Sequence, residues 1–191
     1  MTILANILAA FGLSSSAGLN AYLPLLVVAL AARFTNLVEL RSPWDALESP
    51  WVIGVLVVLL TVEFFADKIP AVNHANDAIQ TFVRPTAGAI LFAASTNVIS
   101  NVNPAVALIL GLLVAGSVHA AKSAVFRPAV TATTGGLANP IVSLTEDFVA
   151  LIISVLAVVV PVLVAAIIIL LTALFVWWLW RRSAARPRLS A

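Results

Sequence analysis

The chain has 191 residues, 62% of them hydrophobic and only 9% charged, with ten Lys and Arg against eight Asp and Glu. Soluble domains carry about 25% charged residues, so this composition excludes an ordinary soluble globule. The absence of cysteine excludes disulfides, thiolate metal sites and cysteine nucleophiles. The pI near 9.7 does not signal nucleic acid. Four of the ten basic residues crowd into RRSAARPRLSA and the rest stand singly beside apolar runs, which is the distribution of a membrane-topology signal.

The first apolar run, residues 3–32, has no basic residue ahead of it and is expected to be a retained span rather than a cleaved signal peptide. Its middle reads FGLSSSAGLNAYLP (11–24), so the run is expected either to tilt as one long span or to be broken near 14–20 and Pro24. Ser15, Ser16, Gly18 and Asn20 are the candidate break or packing residues, because small and hydrogen-bonding side chains let membrane helices approach closely. A polar loop, 33–49, leads to a second span that starts at Pro50, a favoured first-turn residue, and runs to Ala66. After Pro70, AVNHANDAIQTFV places Val72, Ala75, Ile79 and Phe82 on one stripe, which predicts an amphipathic interfacial or re-entrant helix. A third span over 85–100 and a fourth over 104–122 follow. The last apolar block, 141–180, is about twice a span's length and is expected to fold into a hairpin at Pro161.

The expected fold is therefore an all-α, polytopic transmembrane bundle of six spans in one domain, 1–182, with a basic cytoplasmic tail, 183–191. With that tail inside, Lys68, Arg84, Lys122 and Arg127 also fall inside and only Arg33 and Arg41 outside, so both termini are expected in the cytoplasm. At an offset of 104 residues, Gly12/Gly116, Ala17/Ala121, Tyr22/Phe126 and Pro24/Pro128 recur. In six spans that pattern suggests a 3+3 inverted repeat of 1–102 and 103–182, a plan common in secondary transporters. Chance is the alternative, since Gly and Ala are abundant in membrane helices.

Polar residues gather in three places. Glu63, Asp67 and Lys68 lie at the end of span two, with His74, Asp77 and Arg84 beyond them. Glu63 sits about a turn inside the membrane end, where an ionised carboxylate is costly unless paired or wet. His119 and Lys122, three apart on span four, call for a compensating carboxylate, with Glu63, Asp67, Glu146 and Asp147 the candidates. In TATTGGLANPIVSLTED, Gly135 and Gly136 feed a helix whose cap is expected at Asn139, a potential anion site that lacks the P-loop ending. Each group also reads as ordinary capping and connector chemistry.

EFFADKIPAVNHANDAIQTFVRPTAGA, HAAK and TTGGLANPIVSLTED resemble the signature segments of an uncharacterised family of small bacterial membrane proteins, domain of unknown function 4126, over residues 11–180. That resemblance implies a multi-span inner-membrane protein without an established activity. Family members often carry Asp where this chain has Asn73.

The leading functional expectation is a small transporter or flippase. Basic groups and helix N-termini would favour an anionic or phosphate-bearing substrate, such as a lipid head group, and the carboxylates could couple its movement to protons. An intramembrane lipid-modifying enzyme would use His119 or His74 with Glu63 or Asp67, although no nucleophile or metal motif is present. A structural or accessory subunit would use the same residues to pack helices. No cofactor, metal or nucleic acid is expected; membrane lipids are expected neighbours, and a homo-oligomer is open.

Overall fold

The computed structural model describes residues 3–67, 70–96 and 102–184, with the side chains of 70–75 and most of those after Val160 left aside. Among the described residues every regular element is helical: α1 (Ile3–Leu19), α2 (Tyr22–Phe34), a short 3-10 turn (Trp44–Glu48), α3 (Pro50–Ala66), α4 (Pro70–Thr96), α5 (Pro104–Ala121), α6 (Arg127–Thr134) and α7 (Asn139–Ala184). A π-helical turn, Lys122–Phe126, joins α5 to α6.

The first apolar run is not one span. It breaks at Asn20–Ala21 and turns back on itself. Leu13 of α1, Val28 of α2 and Val158 of α7 share one core cluster, and Asn6 lines the same cavity as Leu37–Leu40 beyond α2. Asn20 makes this reversal. Its Oδ1 accepts from the backbone N–H groups of Tyr22 and Leu23 at 3.0 and 2.9 Å, capping the new helix.

The remaining helices alternate in direction. Ser14 meets Gly88 and Phe11 stacks edge-on against Phe92, so α4 runs antiparallel to α1. Gly88 faces Ala115 and Gly111 faces Phe92, so α5 is antiparallel to α4. α5 consequently runs parallel to α1, with Ala10 near Ala107, Gly18 against Ala115 and Val118, and Leu19 against Lys122. The two stretches compared at the offset of 104 also differ in shape, since α1–α2 reverses whereas Pro104–Thr134 continues in one direction. The geometry of an inverted pair is absent from them.

Two further expectations are corrected. The amphipathic segment after Pro70 is not a separate interfacial or re-entrant helix, because α4 runs through Pro85 to Thr96. Proline is tolerated inside such helices when neighbours compensate for the lost backbone bond. Here the Pro85 ring lies against Gly116, where an added Cβ would stand at an ordinary 3.7 Å. Nor does the last block fold back at Pro161: α7 is one helix of 46 residues, about 69 Å long. No polar turn residue follows Pro161 to take up the chain, so hydrophobic continuity prevails.

Backbones pack closely along α4 and α5. A Cβ on Gly88 would collide with the Ala115 side chain and stand 2.9 Å from the Gly111 carbonyl, and one on Gly18 would stand 2.6 Å from the Ala115 carbonyl. Small residues permit this approach. Outward faces are apolar instead: Trp51, Val55, Val58, Ile109, Leu113 and Phe148 are all exposed. Two helical segments, Pro104–Thr134 and Asn139–Val160, are long and apolar enough to cross a membrane.

Candidate functional site

The alternating helices bring five elements together at one end, where α1 stops, α3 stops, α4 starts, and α5–α6 passes the start of α7. Glu63 reaches this end as the last buried side chain of α3, and Asp67 caps the same helix. From α4, Asp77, Gln80, Thr81 and Arg84 follow one another at helical spacing along one side.

Arg84 is fully buried and donates to Glu63 Oε1 at 2.9 Å, with Asp67 Oδ2 at 3.9 Å. Its other terminal nitrogen lies 3.3 Å from His119 Nδ1. A guanidinium can only donate, so Nδ1 accepts. In the neutral ring the proton then sits on Nε2, 3.2 Å from Thr81 Oγ1. Of the acid–base pairs named for an enzyme, the one through His119 is not formed, because that ring faces a cation and a hydroxyl rather than a carboxylate; the His74 side chain lies outside the described residues.

Lys122 pairs with Glu146 Oε2 at 2.7 Å and donates to the Leu19 carbonyl at the end of α1, at 3.0 Å. Arg127 is the hub. It reaches Asp67 at 3.1 Å, both oxygens of Asp77 at 2.9 and 3.0 Å, and the same Glu146 oxygen at 3.4 Å. Asp67 is held further by Asn76 at 2.7 Å and Ser143 at 3.2 Å. Asn20 Nδ2 donates to Asp147 Oδ1 at 2.9 Å, so the α1–α2 turn is tied to the same network. Farther along the α1–α7 contact, Ser16 hydrogen-bonds Ser154 at 2.8 Å and the Ala150 carbonyl at 2.7 Å.

Sequence-derived candidates therefore divide. Glu63, Asp67, Asp77, Arg84, His119, Lys122, Glu146 and Asp147 converge, together with Asn20. Asn139 stands apart, half-buried and bonded to Thr131 at 3.1 to 3.3 Å. Gly135 and Gly136 form the surface turn before α7, with φ of 63° and 87° in the left-handed region that favours glycine. Ser15 is half-buried and outside the network, whereas Ser16 and Gly18 are packing residues of α1. Lys68 and the side chain of His74 lie outside the described residues.

Arg127 was missed as a site residue and reads in sequence as a topology charge. The π turn explains why. Its i→i+5 bond, from the Arg127 N–H to the Lys122 carbonyl, sets Arg127 one wide turn beyond Lys122, so both reach Glu146. Pro128, which would clash with the carbonyl four residues back in a regular helix, follows directly. Gln80 and Ser143 were also missed; they are buried polar residues on otherwise ordinary helix faces.

Three buried polar atoms in this region lack hydrogen-bond partners among the described residues: Glu63 Oε2, Gln80 Oε1 and Arg84 Nε. The charge balance is also uneven. Glu63, Asp67, Asp77, Glu146 and Asp147 face Arg84, Lys122 and Arg127, five acidic side chains to three basic ones of Lys and Arg among the described residues.

A family model described as domain of unknown function (DUF4126) matches residues 7–182. The chain belongs to this family. Every network residue, from Asn20 to Asp147, falls within the matched region. No curated protein and no solved structure matches the chain.

Proposed function

We propose that the protein is a polytopic protein of a bacterial cytoplasmic membrane that carries a small phosphate-bearing anion together with protons. The observation behind this reading is an inversion of polarity: Glu63, Asp67, Arg84 and Lys122 are almost wholly buried, while the outward faces carry large apolar side chains. Ionisable residues held inside an apolar bundle are costly and mark ion or substrate pathways. α1, α2, α3, α4, α5–α6 and α7 would make six crossings, with boundaries that differ from those read in sequence.

The chemistry turns on Glu146. One of its oxygens is shared by Lys122 and Arg127, and its side chain keeps 12% exposure, more than Glu63 or Asp67. Protonation of that carboxyl removes the negative charge that the two cations share. Lys122 keeps only the Leu19 carbonyl, Arg127 keeps Asp67 and Asp77, and two cations become available to a phosphate oxygen. Loss of the proton returns the carboxylate and expels the anion. Proton and anion thus travel together, the anion taking the place of the Glu146 carboxylate beside Lys122 and Arg127.

Purified protein in liposomes enclosing a pH-sensitive dye tests this. An inward gradient of inorganic phosphate or glycerol phosphate should acidify the interior, and Glu146→Gln should abolish that acidification. Acidification no faster than in protein-free liposomes with either solute overturns the reading. A second reading, a structural subunit, draws on the fact that Arg84, Lys122 and Arg127 already have carboxylate partners. Under it, Glu146→Gln lowers the melting temperature and no flux exists to lose.

A further inference from the structure

The opposite end of the bundle is built differently. Between α1, α2, α4 and α7 lies a cavity of about 230 Å³. Its walls include Leu13, Val28 and Val158, all buried, with Leu37 of the loop after α2 closing one side. Four polar residues interrupt this apolar lining: Asn6, Ser95, Asn36 and Glu39.

Asn6 is the informative one. It is 8% exposed, yet its amide makes no hydrogen bond among the described residues. The amide therefore faces the cavity with no protein partner among the described residues, and a ligand placed there can hydrogen-bond to it. Asn36 and Glu39 are exposed and supply the outer wall, so the single charge in the lining is negative and no Lys or Arg belongs to it. An apolar cavity of about 150 Å³ accepts benzene. This one has room for an aromatic ring or short alkyl body plus a short polar arm.

We propose that this cavity binds a small amphipathic amine, with its apolar body against Leu13, Val28 and Val158, its ammonium toward Glu39, and Asn6 accepting or donating a hydrogen bond within. An alcohol of the same shape binds more weakly, and a carboxylate is rejected by Glu39 and finds no cation in the lining. The site is separate from the ion network. Asn6 is fourteen residues from Asn20 along one chain direction, about 21 Å of helix. The proposal therefore stands whether or not the network carries anions.

Calorimetric titration of the full chain in lipid nanodiscs, with empty discs subtracted, tests it with three probes of similar size: 2-phenylethylamine, 2-phenylethanol and phenylacetate. The amine is expected to bind at least about tenfold more tightly than phenylacetate, a preference of the size that charged hydrogen-bonded pairs give. Glu39→Gln, an exposed site, should bring the amine down to the alcohol's affinity. Asn6→Leu should weaken amine and alcohol alike by about fivefold, the loss of one hydrogen bond. Ala9→Phe should fill the cavity and abolish binding, with an unchanged circular dichroism spectrum as the folding control; Ser95→Leu serves if Ala9→Phe does not fold. Equal binding of the three probes, no binding of any at 10 mM (roughly the weak limit of specific binding), or undiminished binding in the filled variant overturns the proposal.

Discussion

α3 and α4 are neighbours with opposite habits. α3 is the plainer helix, PWVIGVLVVLLTVEFFA, and yet only Leu56 and Glu63 are buried along it. α4 carries Asn, Asp, Gln and Arg, and yet Gln80, Arg84, Leu91 and Phe92 are inside. In a water-soluble bundle the assignments would be reversed. Burial here does not follow hydrophobicity alone: hydrogen-bonding and small side chains are inside beside Leu91 and Phe92, an order that fits the apolar surroundings proposed above.

The largest test of that contrast is Arg84→Leu. It leaves Glu63 buried without its cation, which should lower stability by about 3–5 kcal/mol, read as the denaturation midpoint in mild detergent. Adding Glu63→Leu should restore most of the loss; a double variant as unstable as the single one would mean that α4 is polar for a reason other than this pair. Next comes Val58→Asp on α3, 62% exposed and central in the helix. In a lipid-facing position it should oppose insertion by roughly 2.5–3.5 kcal/mol, seen as a reduced membrane-inserted fraction. Unchanged insertion would place that face in water and break the comparison.

The smallest test pairs two glycines. Gly88→Val on α4 drives a side chain into Ala115 and the Gly111 carbonyl and should cost about 1–3 kcal/mol. At Gly54 on α3 an added Cβ meets nothing within 4 Å. Gly54→Val should therefore change stability by no more than about 0.5 kcal/mol, measured in the same melts. Equal effects at the two positions would erase the difference between the helices.

Much of the charged site was legible, for one physical reason. Glu63, Asp67, Arg84, His119, Lys122 and Glu146 are conspicuous because ionisable groups are rare in so apolar a chain. Their pairing then follows from the cost of leaving any of them alone. The path of the backbone was less legible. LSSSAGLN looks like a weak point in one span, and only the Asn20 cap reveals a reversal; Pro161 looks like a bend, and α7 passes through it. Both errors share a cause. Apolar periodicity locates helices but does not distinguish a kink from a turn when no polar loop intervenes. Arg127 escaped for a related reason, since a π turn shifts helical phase without leaving a mark in composition.

The side chain of Asn20 has two ends and uses both. Oδ1 serves the start of α2 and Nδ2 serves Asp147 on α7. An aspartate would keep the cap but set one carboxylate against another. A serine would keep the cap and fall short of α7, and a glutamine would reach α7 from a position too distant to cap. Of these four side chains asparagine alone meets both demands, so the turn that reverses the first apolar run and the ion network at its tip constrain the same codon.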